Sequence, residues 1–532
     1  MPSVRDATFE LLRSRGITTV FGNPGSTELG FLTDFPPDFR YMLGLHEAVA
    51  VGMADGFAQM TGMPSFVNLH SACGVGNAMG AVVNAFHNRA PIVITAGNQD
   101  RRHLESEPYL YARSTELMAP YVKSSREPSR AEDVPAAIDR AWQLAQTPPS
   151  GPVFVSVPMD DWSAEADTPH AGEPVRSGRS VDVTAVAAHL EASARPAIVS
   201  GAGVDRDDAW GPVVELAERL AAPVWAAPQA PRAGFPEDHG LFQGHLAPGH
   251  ATAAAQLAGC DLVLVLGAPV FSFLPYEPSA AELPPIVHVT DDPDEAARAR
   301  SALSLVAGVA EVVRALLERV PGRPPARVPD RAVAPMPAIS EPIAPAYLMA
   351  TLGGLLDPDT VVVEESPSNR ADFRRHVRIR RPRSFFTTAS GGLGFAMPAA
   401  VGIKLADPSR RVLCLVGDGS ALYAPHALWS AVQLGLAVTF VLVNNARYAI
   451  LDSAAQFAGL TDIPGLELPG IDFVSLARSL GCPAERVSSP DDLADGLSRA
   501  LAEDRPWLLD VAIDPATPAL LPTVSQNLLE RA

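Results

Sequence analysis

Lysine is almost missing from this chain. Of 41 basic residues only Lys123 and Lys404 are lysines, so arginine carries nearly all the positive charge. Chemistry that runs through a lysine Schiff base therefore has almost no candidates. Basic charge as a whole is also short: 41 basic against 60 acidic residues leave a net charge of −19. Recognition of nucleic acid or of an anionic membrane needs a basic face, and this balance argues against both partners. Cysteine is scarce. Cys73, Cys260, Cys414 and Cys482 are scattered, form no CxxC, and read as reduced core thiols rather than disulfide partners. No run of about twenty apolar residues occurs. The N-terminal MPSVRDATFELLRSRG is charged and helical in pattern, so the chain reads as cytoplasmic. P-loop, HExxH and GxSxG patterns are absent as well.

What is present is an ordered composition, 47% hydrophobic and 19% charged over 532 residues. That length predicts about two to four domains. Short apolar runs alternate with stretches of helical spacing, the pattern of parallel α/β units. TTVFG (18–22), PSFVNLH (64–70), PIVITAG (91–97) and GPVFVSVP (151–158) form a first set of predicted strands. PAIVSGAG (196–203), APVWAAP (222–228), DLVLVLGAPV (261–270) and PIVHVTDD (285–292) form a second. TVVVEES (360–366), RVLCLVGDG (411–419), AVTFVLVNN (437–445) and WLLDVAID (507–514) form a third. A polar stretch at 160–179 and a proline-rich one at 320–342 separate the sets. The expected fold is α/β, with three doubly wound parallel-sheet domains over 1–181, 182–341 and 342–532.

The third set ends two strands in unusual ways. Val412 to Val416 stops at Gly417-Asp418-Gly419, and after 24 intervening residues a second strand stops at Asn444-Asn445. One crossover helix, predicted over 423–434, fits in the gap. Adjacent parallel strands place such ends side by side, where open α/β sheets bind ligands. A carboxylate and an amide oxygen there make a hard, oxygen-only site suited to Mg²⁺. The glycines let backbone N–H groups approach phosphate oxygens. Asp-Gly alone would read as a turn capping the next helix; the GDG…NN pair favours the metal.

Other positions are ambiguous one by one. Glu47 opens a helix rich in Ala and Val, where a carboxylate can have a raised pKa and share a proton; a helix N-terminus also favours Glu without any chemistry. Ser26, in FGNPGSTE, and His70, in NLHSACGVGNAMGA, both follow predicted strands, as caps and satisfied polar groups commonly do. GVGNAMG and SGAGVDR do not keep GxGxxG spacing, so neither implies a dinucleotide site. His245 and His250 have poor metal spacing and read as loop residues.

Taken together these stretches resemble the thiamin diphosphate (ThDP) enzymes, and most closely the benzoylformate decarboxylase branch, over nearly the whole chain. The resemblance implies pyrimidine-binding, middle and diphosphate-binding domains in that order. It implies that Asp418, Asn445 and the carbonyl of Arg447 hold Mg²⁺ on the cofactor. Glu47 would contact the aminopyrimidine, Gly391 would accept from its amino group, and Leu393 would wedge between its rings. Gly25, Ser368, Gly419, Ser420 and Tyr448 would complete the cofactor cradle. Ser26 would contact the substrate carboxylate and His70 would relay protons. Leu274, Ile450 and Phe457 would line the substrate pocket.

Leu274 stands where this branch has a His, and Ile450 where it has a small Ala, so a shift toward smaller or more flexible 2-oxo acids is expected. Implied activity is non-oxidative decarboxylation of a 2-oxo acid to aldehyde and CO₂, with carboligation as a possible second outcome. An acetolactate synthase-like lyase or ligase, and a non-catalytic ThDP-binding relative, stand as alternatives. FAD is not expected. The implied assembly is a dimer of dimers with each site shared between chains.

Overall fold

The computed structural model describes residues 1–111, 113–169, 181–271, 273–274, 276, 281–324 and 334–519. Continuous runs of Val, Ile and Leu bury both faces of a strand, which requires helices on both sides of a parallel sheet. Three such sheets form, each of six strands. The first contains β1 (Thr19–Asn23), β2 (Arg40–Leu43), β3 (Ser65–Leu69), β4 (Ile92–Asn98), β5 (Ser125–Arg126) and β6 (Val153–Pro158), in the order 2-1-3-4-6-5. The second contains β7 (Pro196–Ser200), β8 (Val224–Ala226), β9 (Phe242–His245), β10 (Leu262–Leu266), β11 (Ile286–Thr290) and β12 (Leu303–Val306), in the order 12-11-10-7-8-9. The third contains β13 (Val361–Glu365), β14 (Phe385–Thr387), β15 (Val412–Gly417), β16 (Val438–Asn444), β17 (Ala484–Val487) and β18 (Trp507–Ala512), in the order 14-13-15-16-18-17. The first and third sheets thus share one strand order.

All twelve apolar runs read from the sequence are interior strands. The strands that sequence patterning did not predict, β2, β5, β9, β12, β14 and β17, are the six sheet edges. An edge strand pairs on one side only and is short or partly exposed, so it carries no apolar run. The crossover helix expected over 423–434 is shorter, Ala427–Gln433, with a separate turn of helix at Asp418–Ala421. Pro425 bars a continuous helix between them. Cys414 and Cys482 are buried, but Cys73 is exposed, which corrects its reading as a core thiol. His245 ends a strand and His250 begins a helix, rather than sharing one loop. The stretches at 160–179 and 320–342 lie partly outside the described residues, as does part of FSFLPYEP. No helix among the described residues is long and apolar enough to cross a membrane.

The first and third sheets are locked together by two helices. Helix Glu47–Thr61 packs on helix Ala396–Ala406, and one apolar core runs through both, including Phe21, Val49, Met53, Met397, Val401 and Leu442. The helices touch backbone to backbone. A methyl group on Gly402 would lie 1.9 Å from the Met53 carbonyl oxygen, and one on Gly56 would lie 2.2 Å from the Ala399 carbonyl oxygen. Glycine is required there by close approach. Gly402→Ala should therefore lower the apparent Tm by an amount corresponding to at least about 1–3 kcal/mol. Gly211→Ala, in a helix where a methyl group meets open space, is the control and should leave Tm near its starting value.

Candidate active site

β15 delivers Asp418 to the carboxyl edge of the third sheet, and β16 delivers Asn445 beside it. Asp418 is buried. Its Oδ1 accepts from the Gly419 N–H at 2.8 Å, while Oδ2 is buried without a partner. Burial pushes its pKa up to about 6, against the lowering effect of the Gly419, Ala446 and Arg447 N–H groups. Those groups also show that the turn after β16 closes over the carboxylate. Asn445 Oδ1 accepts from the Arg447 N–H at 3.3 Å. Tyr448 presses on the motif so closely that a methyl group on Gly419 would be 2.3 Å from its ring. Ser420 is buried in the same turn. No group of three or more His, Cys, Asp or Glu among the described residues could hold a metal. An ion here would instead use one carboxylate, an amide and backbone oxygens, the donor set of a hard cation. An orphaned buried carboxylate oxygen fits that role.

The glycine-rich segment lies between two anchors. Glu365, at the end of β13, is buried and accepts from the N–H groups of Gly394 (2.7 Å), Phe395 (2.8 Å) and Ala396 (2.6 Å). Burial pushes its pKa up to about 7 despite these donors. Gly391 has φ +76° and is exposed, and Leu393 is half-buried. Ser368 sits half-buried in the turn Pro367–Asn369 after β13.

A second cluster forms at the carboxyl edge of the first sheet. Ser26 follows β1 and is exposed; His70 follows β3. Between them is Glu28, which is almost fully buried. Its Oε1 accepts from Thr27 Oγ1 (2.6 Å) and the Gly97 N–H (2.9 Å). Its Oε2 accepts from the Gly25 N–H (3.0 Å) and faces His70 Nδ1 at 3.0 Å. The carboxylate fixes a proton on Nδ1, and hydrogen bonding to Glu28 raises the His70 pKa above the ordinary histidine value despite partial burial. Glu47 opens its helix, with Oε2 accepting from Asn77 Nδ2 at 3.1 Å. A methyl group on Gly25 would be 2.0 Å from His70 Nδ1, and one on Gly74 would touch both Glu47 Oε1 (3.1 Å) and His70 Cβ (3.2 Å). Gly25, His70 and Glu47 therefore converge.

The pocket candidates are less gathered. Ile450 and Phe457 share helix Ala449–Phe457, with Ile450 half-buried and Phe457 exposed. Leu274 comes from the middle segment and is 72% exposed. In the single chain, Leu274 and Phe457 are surface residues. Glu28 and Glu365 escaped the sequence reading. Glu28 had one signal, its position three residues after Gly25, the spacing of a capping box. Glu365 ends an apolar run with a carboxylate, as Asp418 nearly does.

Comparison with known proteins places these clusters. The model for the thiamine pyrophosphate enzyme N-terminal TPP binding domain matches residues 2–117, that for the central domain 183–316, and that for the C-terminal TPP binding domain 368–511. The chain belongs to the thiamine pyrophosphate enzyme family. This family member is 45% identical to a benzoylformate decarboxylase of Pseudomonas aeruginosa over 526 residues, 96% of this chain and 99% of that one. It superposes on a Rhodococcus jostii RHA1 thiamine diphosphate-dependent 4-hydroxybenzoylformate decarboxylase with a TM-score of 0.94 at 42% identity, covering 97% of this chain and 100% of that chain. A benzoylformate decarboxylase from Polynucleobacter necessarius gives a TM-score of 0.95 at 38% identity, covering 98% and 100%.

Removing the negative charge of Glu28 should lower the His70 pKa. The pair stabilises the fold below the unfolded histidine pKa of about 6.5, and that contribution is lost as pH rises through the raised folded value. Imidazole proton NMR of wild type and Glu28→Gln should show the His70 midpoint at lower pH in the variant. An unchanged midpoint would remove Glu28 as the cause.

Proposed function

We propose that this chain is a ThDP- and Mg²⁺-dependent, non-oxidative 2-oxo acid decarboxylase of the benzoylformate decarboxylase type. The observation that carries this reading is the convergence of Glu47, His70 and the Gly25-Ser26 turn on one sheet edge, with His70 polarised by buried Glu28. When bound, the cofactor supplies the electron sink that loss of CO₂ from a 2-oxo acid needs. Asp418, Asn445 and the Arg447 carbonyl would hold Mg²⁺ on its diphosphate. Gly25, Ser368, Gly419, Ser420 and Tyr448 would line its cradle, the Gly391 carbonyl would accept from its amino group, and Leu393 would support its rings. Glu47 would share a proton with the pyrimidine ring of the bound cofactor. Ser26 anchors the substrate carboxylate, and His70, with a raised pKa, moves a proton at the reacting carbon. Leu274, Ile450 and Phe457 form the pocket wall. A second aldehyde entering the same pocket gives carboligation. FAD is no part of the proposal.

The working unit is a dimer of dimers in the cytoplasm, with domains over 1–181, 182–341 and 342–532, and each site is shared between chains. Supporting this, exposed apolar side chains flank both clusters: Leu29 and Leu45 beside the first, Tyr423, Leu451 and Phe457 beside the second. A screen of CO₂ release over phenyl, branched and linear 2-oxo acids tests the activity, and no release from any of them would overturn it.

Asp418→Ala should fold but lose Mg²⁺-dependent ThDP affinity by calorimetry. Glu47→Gln should keep affinity and lose about 10²–10⁴-fold in rate. Mixing the two inactive chains should restore activity through hybrid sites. Failure to complement after verified subunit exchange would count against the shared site.

Ile450 narrows the pocket on the side that takes a ring. Such a wall is worth about 1–3 kcal/mol between substrates. Ile450→Ala should raise the ratio of kcat/KM for benzoylformate over a linear 2-oxo acid at least severalfold, about 30-fold at the centre of that range. A ratio that stays level or falls would show that another residue sets the wall.

A further inference from the structure

Helix Ser71–Asn88 carries three asparagines, Asn77, Asn84 and Asn88, at a spacing that puts them on one face. Asn77 donates to Glu47. The other two leave the first sheet's territory and hold the glycine-rich segment that precedes helix Ala396–Ala406. Asn84 Oδ1 accepts from Thr388 Oγ1 at 3.1 Å and from Ser390 Oγ. Ser390 Oγ accepts in turn from the Gly392 N–H at 2.9 Å. Asn88 Oδ1 accepts from the Ala389 N–H at 2.9 Å. Asn84 and Asn88 are buried, at 3% and 2% exposure, so these bonds are made away from competing water. Asn88 is itself oriented, because its Nδ2 donates to Asp55 Oδ2 at 2.9 Å and Gln59 holds Asp55 Oδ1 at 2.8 Å. A methyl group on Gly392 would lie 2.5 Å from Asn84 Oδ1, so the segment is pressed directly on this amide. With Glu365 gripping Gly394 to Ala396, the exposed Gly391 is slung between two fixed ends.

We propose that Asn84 is a positioning residue for the reaction: it sets the place of the Gly391 carbonyl from a helix whose other end holds Glu47. The inference rests on the cofactor reading of Gly391 and Glu47 given above. Asn84 touches neither cofactor nor substrate. It acts by fixing Ser390, through which Gly392 is held, so the backbone between them has one conformation. The diphosphate end, built on Asp418 and Asn445, is independent of it. Loss of Asn84 should therefore uncouple activation of the cofactor from its affinity, which a general structural defect would not do.

The test uses full-length wild type, Asn84→Ala, Ser390→Ala and Glu47→Gln. In the cofactor-free protein, amide hydrogen exchange at Gly392 should speed up about tenfold or more in Asn84→Ala. With Mg²⁺ present, ThDP affinity should fall less than about fivefold. Hydrogen–deuterium exchange at C2 of bound ThDP should slow at least about tenfold, because a displacement of about 1 Å is enough for such a loss. Ser390→Ala removes the same link from the loop side and should show the same split; it decides the question if Asn84→Ala does not fold. Unchanged C2 exchange in a variant whose Gly392 amide has loosened overturns the proposal, and so does an unloosened Gly392 amide. An affinity loss as large as that of Asp418→Ala also overturns it. Should wild type neither bind ThDP nor exchange C2, the cofactor reading itself fails and takes this inference with it; failure confined to the variants' loop behaviour leaves that reading standing.

Discussion

Gly402 and Met53 leave no room for a single carbon between two helices, and much of the molecule hangs on that contact. Because the helices meet at backbone distance, the first and third sheets cannot slide or tilt without breaking their common core. Glu47 opens one of these helices, and the other begins at the glycine-rich segment gripped by Glu365. This helix pair thus holds Glu47 and the glycine-rich segment of one chain on a common rigid core. Close packing also explains why the seam needs polar stitching at its margin. Asn84, Asn88 and Asp55 lie beside it, buried, and each is satisfied by a partner from another element.

The buried carboxylates Glu28, Glu47, Glu365 and Asp418 sit at or near sheet edges, and their donors sort them by task. Glu365 receives three backbone N–H groups and caps a helix. Glu28 receives two N–H groups and a hydroxyl, and its remaining capacity polarises an imidazole. Asp418 keeps one buried oxygen without a hydrogen-bond partner. A buried carboxylate oxygen without a partner is expensive, which sets Asp418 apart from the other three. Glu47 sits between these extremes, with the Asn77 amide on one oxygen.

Sequence patterning revealed what depends on local runs. Interior strands are continuous in Val, Ile and Leu, and GDG and NN interrupt such runs abruptly, so the three-sheet α/β fold and the convergence at Asp418 were both legible. The edge strands were not, because half-paired strands carry weaker hydrophobic signals. Nor were Asn84 and Asn88. Asn84 and Ser390 are 306 positions apart, and an Asn in an Ala-rich helix looks like any solvated polar residue until the fold brings its partner. Glu28 was hidden for a different reason: its His70 partner lies 42 positions away across two strands. Ile450, Phe457 and Leu274 could be named but not gathered, since a single chain leaves Leu274 and Phe457 at its surface.

The shared strand order of the first and third sheets has a further meaning. A ligand with a neutral aromatic head and a multiply charged tail needs two unlike walls facing each other. This chain uses one strand order for both sheets and differs at the strand ends: carboxylate, imidazole and hydroxyl on one, carboxylate, carboxamide and glycine on the other. Chemical polarity is therefore written in a handful of loop positions while the frames stay interchangeable in outline. The chemical difference between the two rims is a property of sequence at the strand ends rather than of overall shape.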